Sequence, residues 1–194
     1  MKKTSMEKLV RILTLPPFMT WLALGVLFVT GSEVFRGWSD YIVALAFLVV
    51  LPILAYPLQP IVPKYKDMGR DGQRQLAIVM AIVGYIAGIA AAVIFRMPKQ
   101  LILIYLGYLY SGLLLNLFNK TLKIKASGHA CAAAGPIVYL IYFIGLPALF
   151  GLPILALVFW SSLRMGRHTW KELAWGCILP IVAILSAALT VSFF

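Results

Sequence analysis

Residues 126–163 read ASGHACAAAGPIVYLIYFIGLPALFGLPILALVFWSSL, and this stretch decides the fold. It has 38 residues and no Asp, Glu, Lys or Arg, and His129 is its only basic side chain. One helix of that length would measure about 57 Å, whereas the hydrocarbon core of a bilayer is about 30 Å thick. Gly and Pro together interrupt helices, and both occur in Gly145-Leu146-Pro147 and Gly151-Leu152-Pro153. We therefore expect a tight hairpin of two membrane-spanning helices.

The rest of the chain is equally apolar. Of its 194 residues, 62% are hydrophobic and 12% are charged, whereas soluble domains are about half apolar and about a quarter charged. This composition excludes an ordinary soluble enzyme. Charge-free runs close to the length of one crossing predict spans at about residues 12–32, 41–62, 75–95, 100–119, 127–145, 148–164 and 172–193. We expect an all-α polytopic membrane bundle of seven transmembrane helices, a single integral membrane domain over residues 1–194.

The basic residues predict the orientation of this bundle. The net charge is +11, which in a soluble protein would indicate nucleic acid. Here the basic residues lie in short loops, and cytoplasmic loops are rich in Lys and Arg. With a cytoplasmic N-terminus, the inner segments hold 14 of the 17 basic residues, and only Arg36, Arg96 and Lys99 lie outside. We expect that orientation, and no nucleic-acid partner.

Three polar loops then share the cytoplasmic face: residues 63–74, 120–129 and 164–172. The second contains His129 and the third contains His168, which are the two histidines of the chain. The hairpin carries the chain out and back, so both histidines return to one face. Taken singly, each is more simply explained as a polar residue at a helix end.

Together with the basic residues, the two histidines indicate a phosphate site. Guanidinium forks suit phosphate oxygens, and the N-terminus of a helix that opens at Ser127-Gly128-His129 would offer free backbone N–H groups. One neutral imidazole can attack phosphorus while a second protonates the leaving oxygen. This chemistry needs no metal, and we expect no cofactor.

Two segments carry a resemblance to a known family. Ala126-Ser127-Gly128-His129-Ala130 and the stretch from Ser161 to Glu172, with Gly166-Arg167-His168-Thr169 at its centre, resemble the second and third motifs of the type 2 phosphatidic acid phosphatase superfamily of integral membrane lipid phosphatases. The resemblance covers roughly residues 40–194. It implies a six-helix phosphatase-like core within the seven-helix bundle.

The chain departs from the family pattern at several positions. Ala126 replaces Pro in the second motif, and Ser162 replaces the Arg expected before His168, so that Arg164 or Arg167 would supply the charge. Glu172 replaces Asp; at i+4 it would lie on the same helical face as His168. The first motif is approximate, because no Arg-Pro pair occurs in the loop of residues 63–74.

The resemblance implies a role for each matched residue. His168 would be the nucleophile, Glu172 would orient it, and His129 would be the acid for the leaving group and then the base for water. Phosphate would be held by a basic and polar set, namely Lys66, Arg70, Arg74, Lys125, Ser127, Gly128, Arg164 and Arg167.

The implied reaction is metal-independent hydrolysis of a membrane lipid phosphate or diphosphate through a phosphohistidine, in the cell membrane of a prokaryote. An isoprenyl or polyprenyl diphosphate is slightly favoured, because one thin tail suits a small bundle; phosphatidic acid and phosphatidylglycerol phosphate come next. Two alternatives stay open, a lipid phosphotransferase and a non-hydrolytic lipid or anion transporter. The absence of charged residues from the middle of the apolar runs weighs against an ion-coupled transporter.

Overall fold

The computed structural model describes residues 5–31 and 33–193, and over these residues the chain is helical without any strand. The α-helices are α1 (Ser5–Leu13), α2 (Pro16–Val29), α3 (Trp38–Leu45), α4 (Leu51–Leu58), α5 (Gly69–Ile94), α6 (Lys99–Asn116), α7 (Gly128–Ile144), α8 (Leu152–Arg164) and α9 (Trp170–Ser192). A π-helical turn, Ala46–Val50, joins α3 to α4, and a second, Leu117–Thr121, extends α6.

The expectation of an all-α chain with membrane-length apolar helices is confirmed. In the part of the chain that is described, five helical segments are long and apolar enough to cross a bilayer: Trp38–Ile61, Lys66–Ile94, Lys99–Thr121, Leu146–Arg164 and Trp170–Ser192. Two further apolar helices, α2 and α7, are shorter, with 14 and 17 residues. The structure therefore shows five membrane-length helices where the sequence predicted seven.

The predicted span at residues 12–32 is divided. Helix α1 ends at Leu13 and α2 begins at Pro16, so the helix is interrupted at Thr14 and Leu15. Proline is accepted at the first positions of a helix but breaks a helix interior, which is why Pro16 and Pro17 start a new helix rather than continue α1. Residue 32, the predicted end of this span, lies outside the described residues, as do Lys2 and Lys3.

The predicted hairpin is interrupted where Gly and Pro indicate. Helix α7 ends at Ile144, and Gly145 takes a left-handed conformation with φ 74°. A 3₁₀ segment, Leu146–Gly151, then leads into α8. A positive φ carries no penalty for glycine, so Gly145 can reverse the chain at this point.

Helix α9 packs along both α6 and α7, while α5 lies against α6 and α2 against α7. The buried core around them includes Leu101, Tyr105, Tyr139 and Ile184. The hydroxyl of Tyr139 donates to the carbonyl oxygen of Ile104 at 2.8 Å and so ties α7 to α6. This packing holds the helix ends in fixed positions relative to each other.

The first residues of α7 and of α9 meet at one end of the bundle. The backbone N–H of Ser127 donates to the carbonyl oxygen of Glu172 at 2.8 Å. One turn further along α9, the Cα of Gly176 is so close to α7 that a Cβ there would lie 2.5 Å from the Ser127 carbonyl oxygen and 2.8 Å from the Ala130 Cβ. This close approach sets the spacing between the two helix beginnings.

We predict that Gly176→Ala destabilises the protein, because its Cβ would meet backbone that cannot move without separating α7 from α9. Overpacking of this kind costs about 1–3 kcal/mol. Gly112→Ala is the matched control: Gly112 lies in α6 with open space around its Cα, and Ala is the better helix former. Thermal unfolding in detergent should show a lower Tm for Gly176→Ala only. Equal melting of Gly176→Ala and the wild type would contradict the close approach.

Candidate functional site

His168, Glu172 and Lys125 form a connected chain of side chains where α7 and α9 meet. The Nδ1 of His168 lies 2.7 Å from Oε2 of Glu172. The other carboxylate oxygen, Oε1, lies 3.2 Å from Nζ of Lys125. The side chain of His168 is 25% exposed and that of Glu172 14%, whereas that of Lys125 is 68% exposed. The imidazole therefore lies between the protein interior and the open end of the bundle.

This arrangement selects one tautomer of His168. A carboxylate only accepts hydrogen bonds, so Nδ1 carries the proton that it shares with Glu172. In the neutral ring the lone pair then lies on Nε2. An imidazole held in this way by a carboxylate is a nucleophile or a base at Nε2.

The local backbone differs from the sequence expectation of one shared helical face. Helix α9 begins at Trp170, with Thr169 as its N-cap, so His168 precedes the helix. The Thr169 side chain accepts a hydrogen bond from the Glu172 backbone N–H at 3.3 Å. Glu172 lies in the first turn of α9, and its side chain reaches back across the N-cap to His168.

His129 lies in the first turn of α7, where Oγ1 of Thr14 is 3.0 Å from its Nε2. The same hydroxyl donates to the carbonyl oxygen of Val10 at 2.8 Å. A hydroxyl has a single proton, so in this contact Nε2 of His129 donates to Thr14. Nδ1 of His129 is then the atom that can exchange a proton with a ligand.

Helix α1 also reaches this end of the bundle. Oε1 of Glu7 lies 3.1 Å from Nε of Arg164, and the Arg164 guanidinium lies over the ring of Trp160, 5.5 Å from its centroid. Arg164 is thus occupied by an acidic side chain and an aromatic ring.

Arg11 of α1 belongs to a group of arginines. Burial, as the first cause, lowers the pKa of Arg11 from its ordinary value, and three nearby guanidinium groups lower it further, those of Arg167, Arg74 and Arg70. Arg11 and Arg167 also act electrostatically on the His129 ring, as does His168. The group therefore brings α1, the start of α5 and the loop before α9 together, with Arg11 and Arg167 near His129.

The other sequence-predicted residues divide into those near the histidines and those elsewhere. Ser127 is fully buried, and its hydroxyl caps α7 by accepting from the Ala130 backbone N–H at 3.2 Å. Gly128 is exposed at the first position of α7. Lys66 is exposed on the loop before α5, and its carbonyl oxygen accepts from Nε2 of Gln59 at 3.0 Å. None of the ion pairs among the described residues includes Lys66.

The structure distinguishes the two arginines that could replace the one expected at Ser162. Ser162 itself is buried, and its carbonyl oxygen accepts from the backbone N–H of Arg167 at 3.1 Å. Arg164 is paired with Glu7, whereas Arg167 is exposed and belongs to the group around Arg11. Of the two, Arg167 is the one that takes part in none of the ion pairs between described residues.

Sequence reasoning missed three residues at this site: Glu7, Arg11 and Thr14. Arg11 was counted only as a marker of topology, and Thr14 was included in the first span. Their spacing of i, i+4 and i+7 places them on one helical face, and that spacing is a signal that the sequence contains.

Among residues 5–31 and 33–193, no group of three or more His, Cys, Asp or Glu side chains could hold a metal ion. Comparison of the chain with protein-family models, with curated proteins and with solved structures finds no match. The family resemblance therefore depends on the residues around His129 and His168 alone.

Proposed function

We propose that the protein is a metal-independent phosphatase of a membrane lipid phosphate or diphosphate, acting through a phosphohistidine. The observation that supports this most is the 2.7 Å contact between Nδ1 of His168 and Oε2 of Glu172, which leaves Nε2 free as a nucleophile. The second imidazole, oriented by Thr14, and the arginine group around Arg11 support it further.

In the first step, Nε2 of His168 attacks phosphorus and the bond from phosphorus to the leaving oxygen breaks. Burial and the positive charges of Arg11, His168 and Arg167 oppose a proton on His129, so its imidazolium forms only when the negative charge of a bound phosphate offsets them. Nδ1 of His129 then gives its proton to the leaving oxygen, while Nε2 keeps its hydrogen bond to Thr14. Glu172 stabilises the positive charge that develops on His168.

In the second step, water attacks the phosphohistidine. Nδ1 of His129, now neutral, takes a proton from the water as the new phosphorus–oxygen bond forms. The bond between phosphorus and Nε2 of His168 breaks, phosphate leaves, and both imidazoles return to their starting states. Arg70, Arg74 and Arg167 stabilise the charge on the phosphoryl oxygens through both steps, and Lys125 acts through its ion pair with Glu172.

A lipid substrate is supported by the surroundings of the site. An open groove of about 690 Å³ runs along one face of α8 to the start of α9, lined by Ala156, Phe159, Trp160, Leu163, Arg164 and Trp170. Its apolar lining suits a hydrocarbon chain, and Arg164 lies at the end of α8 nearest His168. A substrate with one thin tail, an isoprenyl or polyprenyl diphosphate, fits such a groove best.

We further propose that α2 and α7 also cross the bilayer, which makes seven spans. Helix α7 starts beside α9 at the histidine end, and α8 returns to that end. Helix α2 follows Thr14 at the same end, and just beyond α2 Glu33 accepts from Nε2 of Gln100 at 3.4 Å at the opposite end. The excess of basic residues at the histidine end supports a cytoplasmic site in a prokaryotic cell membrane.

The proposed roles predict how single substitutions alter turnover of farnesyl diphosphate by purified protein. His168→Ala should abolish phosphate release, since no nucleophile remains. Glu172→Gln should lower kcat by about 10²- to 10⁴-fold, because the wrong tautomer of His168 is then favoured. Glu33→Gln, at the far end of the bundle, is the matched control and should leave kcat unchanged. Normal turnover in folded His168→Ala would disprove the assignment of the nucleophile.

Inhibitors test the chemical class separately. Phosphate release should persist in excess EDTA and should be blocked by orthovanadate, which mimics pentacoordinate phosphorus. The measurement is phosphate release with and without each reagent. Loss of activity in EDTA that added divalent metal restores would contradict the metal-independent mechanism.

Cysteine labelling tests the seven-span arrangement. In a Cys131→Ala, Cys177→Ala background, single cysteines at Lys66 and Lys123 should react with an impermeant reagent from the cytoplasmic side. Single cysteines at Lys99 and Leu146 should react from the outer side. Labelling of the Leu146 position from the same side as the Lys66 position would show that α7 does not cross.

A further inference from the structure

Helix α1 has two contrasting faces. Its apolar side chains are exposed: Met6, Leu9, Ile12 and Leu13 are 60%, 54%, 60% and 48% exposed. Glu7 and Thr14, by contrast, are 4% exposed each. A short helix with this pattern is typical of one lying at a membrane surface, with its apolar face toward lipid and its polar face toward the bundle.

The polar face is fixed at both ends to the candidate site. Glu7 contacts Arg164 at 3.1 Å, next to the loop that carries His168. Thr14, just after α1, contacts His129 at 3.0 Å. Arg11 lies between them, one turn from Glu7 and about one turn from Thr14 on the same face. Arg11 therefore lies on the helical face that the two anchors hold against the site, and its charge acts on the His129 ring.

The surroundings of Arg11 are strongly positive. Arg70, Arg74 and Arg167 are near enough to act on its guanidinium. None of the ion pairs between described residues includes any of these four arginines. Like charges held together are unfavourable without a counter-ion. Glu7 is engaged by Arg164, and Glu172 by Lys125 and His168. Asp67 and Asp71, which flank Arg70 in sequence, take part in none of the ion pairs between described residues.

We propose that Arg11 binds the substrate's phosphate group directly, so that α1 completes the anion site from the membrane surface. The inference rests on the phosphate site of the proposed function. It adds to that site a phosphate-binding residue, Arg11, that precedes the segment resembling the phosphatase family. A guanidinium held between two anchors presents a fixed fork, which suits two phosphoryl oxygens at once. Thr14 is the positioning residue that keeps Nε2 of His129 engaged and its Nδ1 free.

Binding of inorganic phosphate tests this without depending on hydrolysis. Isothermal titration of purified protein in detergent should show that Arg11→Gln weakens phosphate binding by about 10- to 100-fold, the range for one charged hydrogen-bonding group. Arg11→Lys should fall between Arg11→Gln and the wild type, because it keeps the charge but loses the fork. Lys99→Gln removes one positive charge at the opposite end of the bundle and should bind phosphate as the wild type does.

The outcomes separate this inference from the proposed function. If phosphate binding depends on Arg11 but no lipid is hydrolysed, the result supports Arg11 as a phosphate-binding residue and contradicts the proposed phosphatase activity. If the wild type hydrolyses a lipid and Arg11→Gln binds phosphate as the wild type does, the role of Arg11 is contradicted and the phosphatase activity is supported. If Arg11→Gln does not fold, Arg11→Lys is the deciding variant. Phosphate binding equal to that of the wild type would contradict a two-pronged contact between the Arg11 guanidinium and the phosphate. A wild-type protein that binds no phosphate overturns the inference.

Discussion

The close contact between the beginnings of α7 and α9 is the constraint on which the site depends. The hydrogen bond from the Ser127 N–H to the Glu172 carbonyl oxygen and the absent side chain at Gly176 hold two helix N-termini together. His129 lies just after one of these points and His168 just before the other. Two residues far apart in sequence therefore share one end of the bundle, and α8 only has to return the chain to that end.

Positive charge exceeds negative charge around this contact. Two carboxylates at this contact have cationic partners, Glu172 in Lys125 and Glu7 in Arg164. These pairs orient side chains: one fixes the His168 tautomer and the other holds α1 against α8. Arg11, Arg70, Arg74 and Arg167 lie outside these pairs and close together. A site that uses its acids for positioning and leaves its arginines to a ligand is suited to an anion, and most of all to a phosphate with several charged oxygens.

Much of this could be predicted from the sequence, for reasons that can be named. The apolar run from Ala126 to Leu163 is too long for one crossing, so the hairpin and the return of His168 to the level of His129 follow from length alone. The contact between His168 and Glu172 follows from their separation in sequence, although the N-cap at Thr169 changes its geometry. Hydropathy did not reveal α1, because that helix (Ser5–Leu13) lies almost wholly before the apolar run and includes Glu7 and Arg11; the spacing of its polar residues is the signal that would have found it. The choice of Arg167 over Arg164 required the partner Glu7, which is distant in sequence.

The most direct measurement of the central claim is to find where phosphorus becomes attached. Protein mixed with farnesyl diphosphate labelled with ³²P at the terminal phosphorus, then quenched in alkali to preserve phosphohistidine, can be digested and mapped by peptide. The account predicts label on the peptide containing His168, released as inorganic phosphate when unlabelled substrate is added. Turnover with no label on the protein, or label on the peptide containing His129, would contradict it.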